Sequence, residues 1–301
     1  MKIFVTGATG YIGGSVSALL LAAGHQVHGL ARNAERAALL EERGITPVLG
    51  TLEDIDVLQA AAQSADAVLN AANADHPFAA RALVDALRGS GKTLLHTSGT
   101  STVADNAHGE YSTAVYHEDS PLDALPEKAG RIATDRMVCA AAHDGVRAIV
   151  ISPCLIYGKG LGVRPDSIQV PMFIDMAKSS GLPRHPGKGE NIWSNVHIED
   201  CADAYMAALE HAPAGGFFYI EAGEATMRDL SKAAGRLLGL GEKTEALSLA
   251  DAVRAWGLPM AHGMGSNVRV NADKARAMLD WKPTRPGLLE DIEHGSYREQ
   301  A

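Results

Sequence analysis

Met1-Lys-Ile-Phe-Val-Thr-Gly-Ala-Thr-Gly-Tyr-Ile-Gly-Gly14 opens the chain with a short apolar run and three spaced glycines. Ile3 to Val5 reads as a buried strand, and a helical pattern through Val16, Leu19, Leu20 and Leu21 runs to Gly24. The glycines between them suit a sharp strand-to-helix turn, close backbone approach to a pyrophosphate, and tight packing of helix on strand. Free N–H groups and a positive dipole end at the helix start would face the phosphates. Gly7, Thr9, Gly10, Tyr11, Ile12 and Gly13 are therefore candidate dinucleotide-binding residues. In a chain with 31 glycines the spacing alone also fits a plain βα turn, and it is the context that favours the cofactor.

Bulk properties narrow the partners. The 301 residues are 46% hydrophobic and 21% charged, as in an ordinary globular protein with ample core. A formal net charge of −9 gives no reason to expect nucleic acid or an anionic membrane, and 5% aromatics gives no base-stacking surface. No apolar stretch reaches spanning length, and the N-terminus is itself the first strand, which leaves no room for a signal peptide. Cys139, Cys154 and Cys201 show neither disulfide nor zinc spacing, and no His-rich pattern suggests a metal. A cytoplasmic location is expected.

Strands are expected at Gln26–Ala31, Thr46–Leu49, Ala67–Ala72, Lys92–Thr97 and Arg147–Ser152. Helices are expected at about Glu35–Arg43, Asp54–Gln63, Phe78–Arg88, Lys128–His143, Thr226–Leu238 and Asn271–Leu279. This alternation implies right-handed βαβ units and a parallel sheet covered on both faces. The Ser/Thr/Asp/Asn/Gly-rich stretch from Ser98 to Pro126 reads as a long functional loop, and 158–192, rich in Gly and Pro, as a substrate-side excursion.

With these elements placed, the chain resembles the extended short-chain dehydrogenase/reductase family, in its epimerase/dehydratase-like branch. The carriers are Thr6-Gly-Ala-Thr-Gly-Tyr-Ile-Gly13, Ile151-Ser-Pro-Cys-Leu-Ile-Tyr-Gly158, Asn195-Val-His-Ile-Glu-Asp-Cys-Ala-Asp-Ala204, and Asn271-Ala-Asp-Lys followed by Leu279-Asp-Trp-Lys-Pro283. The resemblance implies an α/β fold: a doubly wound (Rossmann) parallel sheet with a smaller C-terminal substrate-binding part. Residues 1–157 would form the dinucleotide-binding domain, with 195–212 returning to it, and 158–194 and 213–301 the substrate part. It also implies that Leu52 and Ala71, Ala72 and Asn73 flank the adenosine, and that Pro153 and Tyr157 lie near the nicotinamide. His197 and Asp200 read as structural.

Charge argues for NADP(H). An acid at the end of the second strand would accept from a ribose, whereas an Arg pairs with a 2′-phosphate. Here Arg32 and Asn33 stand there, with no acid before Glu35.

The family's chemistry uses a Ser or Thr with Tyr-x-x-x-Lys. Alignment on Val103 puts Thr100 at the hydroxyl position, with Ser98 and Ser101 as alternatives. Alignment on Asp135 puts Glu127 where the Tyr belongs and Arg131 where the Lys belongs; no Tyr-x-x-x-Lys exists in the chain. Arg131 would then hold the nicotinamide ribose. Tyr116, Tyr111 and His117 on the long loop, and Glu127, are the candidate proton donors. Gln169, Pro171, Met172, Phe173, His185 and Trp193 are expected around a largely apolar small-molecule substrate. The expectation is an NADPH-dependent reductase of a small carbonyl or related unsaturated group. The alternatives are a non-catalytic NADP(H)-binding sensor or scaffold and, with less support, a nucleotide-sugar epimerase or dehydratase. The family's pairing of two helices across a homodimer axis would use Phe78–Arg88 and Lys128–His143. The alternative is that both are covered within one chain.

Overall fold

In the computed structural model, which describes residues 1–122 and 124–300, the alternation becomes a seven-stranded parallel sheet. Its first half comprises β1 (Lys2–Thr6), α1 (Tyr11–Ala22), β2 (Gln26–Ala31), α2 (Ala34–Glu41), β3 (Thr46–Leu49), α3 (Ile55–Ser64), β4 (Ala67–Asn70), α4 (Pro77–Leu87) and β5 (Thr93–Thr97). There follow α5 (Ala129–Ala140), β6 (Arg147–Pro153), β7 (Leu155–Tyr157), α6 (Gln169–Ser180), β8 (Arg184–Pro186), β9 (Ile192–His197), α7 (Ile198–His211) and β10 (Phe217–Ile220). The chain ends through β11 (Gly223–Thr226), α8 (Met227–Leu237), β12 (Glu245–Leu247), α9 (Leu249–Trp256), α10 (Leu258–Gly265), α11 (Asp273–Leu279) and α12 (Leu288–His294).

Strand order is β10-β6-β5-β4-β1-β2-β3. The winding direction reverses between β1 and β4, and ligands of such sheets bind outside the strands' carboxyl ends at that point. Alternation along β1 sends Ile3 and Val5 to one face and Phe4 to the other. On the first face they meet Val16 and Leu20 of α1, Leu40 of α2 and Tyr205 of α7. On the second, Phe4 meets Leu58 of α3, Leu83 and Val84 of α4 and Val138 of α5. Each fully buried side chain of this kind contributes roughly 1.5–3 kcal/mol.

Three expectations need correction. The sheet's edge strand, β10, lies beyond the boundary expected at 212; its Phe-Phe-Tyr-Ile run is apolar enough to be buried and pairs with β6. Residues 158–192, expected to line the substrate pocket, carry α6 and β8, whose apolar positions pack inward. Phe173 sits against Trp256, and His185 and Trp193 are buried, so none of the three faces an open pocket. Finally, β4 ends at Asn70 rather than at 72. Of the apolar face of α4, Leu83, Val84 and Leu87 are covered within this chain, while Phe78 stays exposed.

The remaining strands form a three-stranded sheet, β11-β9-β7, and a parallel pair, β12-β8, which carry the C-terminal helices over the carboxyl end of the main sheet. Asp200 of α7 ties that part down. Its carboxylate accepts from the backbone N–H groups of Thr284 and Arg285, and its carbonyl accepts from the Trp281 indole. His197 caps the same helix, accepting from the N–H of Glu199. Both are structural, as the sequence suggests.

Candidate active site

The glycine turn forms as its spacing requires. Gly7 has φ of +77°, and a Cβ there would stand 2.6 Å from the carbonyl oxygen of Ala71; one on Gly13 would stand 2.4 Å from that of Gly7. Helix α1 therefore starts hard against the ends of β1 and β4, and no side chain caps it. The turn opens into a groove of about 430 Å³ that includes Gly7, Thr9, Gly10, Arg32, Leu52, Ala71 and Ala72. Several groove residues escaped the sequence reading, notably Arg36, Glu53 and His76. Arg36 lies in the first turn of α2, where its helical placement was legible but its direction was not. Asn33 instead caps α2, accepting from the N–H of Arg36 at 2.9 Å. The Tyr11 hydroxyl donates to the Gly158 carbonyl at 2.7 Å, tying the turn to the substrate side. Ile12 and Gly13 lie in α1 and Pro153 is buried at the end of β6, none of them on the groove wall. The uncapped helix, the glycine cradle and the two guanidinium groups fit a phosphorylated dinucleotide.

Beyond β5 the chain makes a short turn, Thr100–Val103, against the start of α5. The Thr100 hydroxyl oxygen is buried without a partner among the described residues. Arg131 does not point freely towards the groove. Its Nε and Nη2 pair with both carboxylate oxygens of Asp75, at 2.8 and 2.5 Å, and its Nη1 donates to the Ser101 hydroxyl at 2.9 Å. Hydrogen bonding from Arg131 holds the Asp75 carboxyl below the usual range. Asp75 gave no signal in the sequence, because its role depends on contact with a residue 56 positions away.

Asp135, one turn beyond Arg131, faces the same region. Its Oδ2 accepts from the Ser98 hydroxyl at 2.6 Å, and its Oδ1 lies 3.8 Å from His96 Nε2. The orientation of that imidazole is set from across the sheet. The Thr6 hydroxyl donates to the side-chain Oδ1 of Asn70 at 2.6 Å, which turns the Asn70 Nδ2 towards His96 Nδ1, 3.0 Å away. Burial pushes the Asp135 carboxyl up to about 6 and the His96 imidazole down to about 4.

The long loop is pinned rather than loose. Asp105 accepts from the Asn267 backbone N–H at 2.8 Å and from its side-chain amide at 3.0 Å, and the Gly109 N–H donates to Gly265 at 2.7 Å. These contacts hold α10 near the Thr100–Val103 turn, and a cavity of about 530 Å³ lies between them. Ser101, Asn106, Glu127, Lys128, His262 and Ser266 give its polar wall, and Ala104, Leu125, Leu258 and Pro259 its apolar one. Glu127 lies exposed in a turn just before α5. Tyr116 is elsewhere, bridged to Val270 with its ring against the main core, while Tyr111 and His117 are exposed on the outer loop. Of the expected donors, only Glu127 reaches this cavity.

With a doubly wound parallel sheet and a glycine turn at its reversal point, the class is that of Rossmann-like α/β proteins. The chain belongs to the NAD-dependent epimerase/dehydratase family, whose model matches residues 3–220. It is 31% identical to an uncharacterized protein of Schizosaccharomyces pombe, over 99% of this chain and 100% of that one. It is also 31% identical to an oxidase, ucsJ, of Acremonium sp., over 97% and 95%. A Stigmatella aurantiaca ketoreductase acting on a farnesylated dihydroquinoline oxide is 27% identical over 74% and 69%. Among solved structures, dTDP-glucose 4,6-dehydratase from Bacillus anthracis, in complex with NAD, superposes with a TM-score of 0.78 at 17% identity, covering 100% of this chain and 96% of that one. That likeness establishes the shared fold. No helix of the described residues is long and apolar enough to cross a membrane, and among them no cluster of His, Cys, Asp or Glu could hold a metal ion.

Proposed function

We propose that this chain is an NADPH-dependent reductase that transfers hydride to a small, largely apolar carbonyl or related unsaturated compound, without the family's Tyr-x-x-x-Lys. The observation that carries the cofactor choice is the pair Arg32 and Arg36 on the groove wall, with no carboxylate pairing either of them among the described residues. Two cations, one just after β2 and one in α2, attract a 2′-phosphate. When bound, NADPH supplies the hydride. The chain's own part is to orient it through the glycine turn and to offer the substrate the cavity that Ser101 and α10 line, with the buried Thr100 hydroxyl next in the chain. The cavity's four apolar wall residues favour an uncharged substrate body. Relatives named as an oxidase and a ketoreductase agree with redox chemistry.

The test is NADPH oxidation by the purified protein over a panel of aldehydes, ketones and imines, run in parallel with NADH. Turnover with NADPH preferred supports the reading, and turnover with NADH preferred overturns the cofactor assignment. One observation favours a second reading, a non-catalytic NADP(H) sensor: Arg131 is held by Asp75 and Ser101, and an exposed Glu127 replaces the phenol. Tight NADPH binding with no compound turned over would select it.

A further inference from the structure

The reduction needs a proton donor, and the residues singled out in the sequence supply none that is well placed. Tyr116, Tyr111 and His117 do not line the cavity beside Thr100 and Ser101. Glu127 does, but it is exposed, and a solvated carboxylate is suited to accept rather than to give a proton. The cavity has one imidazole, that of His262 on α10. Neither ring nitrogen of His262 makes a hydrogen bond to another described residue, while its backbone carbonyl accepts from the Ser266 hydroxyl at 2.9 Å.

The backbone at the end of the helix that carries this side chain is fixed from several sides. The buried Asn191 amide donates to the Met264 and Ser266 carbonyls at 2.8 and 2.7 Å, and the buried Trp193 indole donates to Ser266 at 2.9 Å. The end of α10 is thus gripped from below by β9 and its approach, and from the side by Asp105 through Asn267. A donor held by a locked helix and a second layer of hydrogen bonds has the preorganisation that proton transfer requires. Behind it stands His108, exposed to solvent, its ring edge-on to that of His262 with 5.7 Å between centroids. His108 has φ of +51°, a conformation that non-glycine residues adopt rarely and mostly where the surroundings impose it.

Resting on the reductase reading above, we propose that His262 is the general acid of this site, giving its proton to the substrate oxygen, with His108 lying between it and solvent. The balance is complete. The carbonyl carbon takes the hydride from NADPH, the π pair of the C=O bond moves to oxygen, and the imidazolium N–H bond breaks to protonate that oxygen. Alcohol, NADP⁺ and a neutral imidazole remain, and the imidazole regains its proton from solvent. Imidazole is the side chain whose ordinary titration falls nearest neutrality. The charged and titratable groups around His262 are Glu127 and Lys128 from the turn before α5, His108 from the long loop, and Asp105 beyond Ser266.

The experiment compares the full-length protein with H262Q and H262A on the best compound from the panel. Removal of a general acid costs ~10²–10⁴ in rate. We expect kcat to fall by at least that lower bound in both variants, the alkaline fall of the wild-type pH–rate profile to disappear, and the NADPH Kd to stay within about twofold as proof of folding. Added imidazole should restore part of the H262A rate. A readout independent of turnover is the His262 ring resonance, assigned by its loss in H262Q, which should shift when the compound is added to the NADP⁺-bound protein. Wild-type turnover with H262Q within threefold of it, or with the alkaline fall retained, overturns the assignment of His262 alone. Failure of the wild type on every compound removes the reductase reading, and this assignment with it.

Discussion

Arg131 and Asp75 lie 56 residues apart and meet through two parallel hydrogen bonds, Nε to Oδ1 and Nη2 to Oδ2. The cation at the family's lysine position is thereby turned into a brace between α5 and the loop that follows β4. That loop also supplies Ala71, Ala72, Asn73 and His76 to the cofactor groove. Because Asp75 is well exposed, solvent screens the pair, and its loss should cost less than about 1 kcal/mol of stability. The groove wall should suffer more, since the loop loses its tether. Asp75→Asn is expected to weaken NADPH binding several-fold, with the melting temperature nearly unchanged. Fluorescence titration of NADPH settles it, and an unchanged Kd would mean that the brace serves something other than the groove.

Arg32 and Arg36 should act together on cofactor choice. A hydrogen bond to a charged group is worth ~1.5–3 kcal/mol, so each Arg→Ala change should raise the NADPH Kd by about tenfold to a hundredfold. The NADH Kd should barely move, because no 2′-phosphate is there to be lost. The readout is therefore the ratio of the two affinities. A ratio that stays constant in both variants would show that these guanidinium groups are only solvated surface.

Much of this architecture could be read in advance because it rests on local periodicity. Ile3 to Val5, the spaced glycines and the apolar positions of α1 form an unbroken pattern, and motifs such as Asn195 to Ala204 and Asp280 to Pro283 prove to hold one another through Asp200. What escaped was long-range. Nothing in the local pattern at Asp75 reveals Arg131, and nothing around His262 reveals that Asn191, Trp193 and Asp105 hold the end of α10 beside the turn that follows β5. The apolar residues of 158–192 were visible, but their direction was not. Phe173 and Trp193 serve the core because α6 and β9 turn them inward.

The buried Asp135 makes stability depend on pH. Burial raises its carboxyl from 3.8 to about 6, so the folded state holds the proton more tightly than the unfolded chain does. Its contribution is therefore full below about pH 4 and is lost as pH rises through 6, at up to ~1.4 kcal/mol per unit of pH between those values. His96, held down at about 4 by its burial, acts in the opposite sense and loses stability as pH falls from 6.5. Asp135→Asn keeps an acceptor for Ser98 and removes the titration. Its stability relative to wild type should rise as pH goes from 4 to 7, followed by denaturant melts at unit intervals. A flat difference would show that the carboxyl is not the titrating group.

Two glycines in helices should respond to alanine with opposite signs. Gly13 lies in α1 and Gly130 in α5, and alanine is intrinsically the better helix residue by ~1 kcal/mol at each. At Gly130 nothing stands within 4 Å of the new methyl, so G130A should gain up to about that amount. At Gly13 the methyl would lie 2.4 Å from the Gly7 carbonyl oxygen and 2.8 Å from its carbon, both backbone atoms of the glycine turn. Neither atom can swing aside as a side-chain tip would, so α1 must move off β1. Overpacking of this kind costs ~1–3 kcal/mol, more than helix propensity returns. G13A should therefore lower the melting temperature and, on the proposed function, also weaken NADPH binding by at least tenfold, because the start of α1 is what shifts. Thermal melts with and without NADPH separate the two effects. If G13A were as stable as G130A, the glycine would be there for the turn's flexibility and not for the closeness of helix and strand.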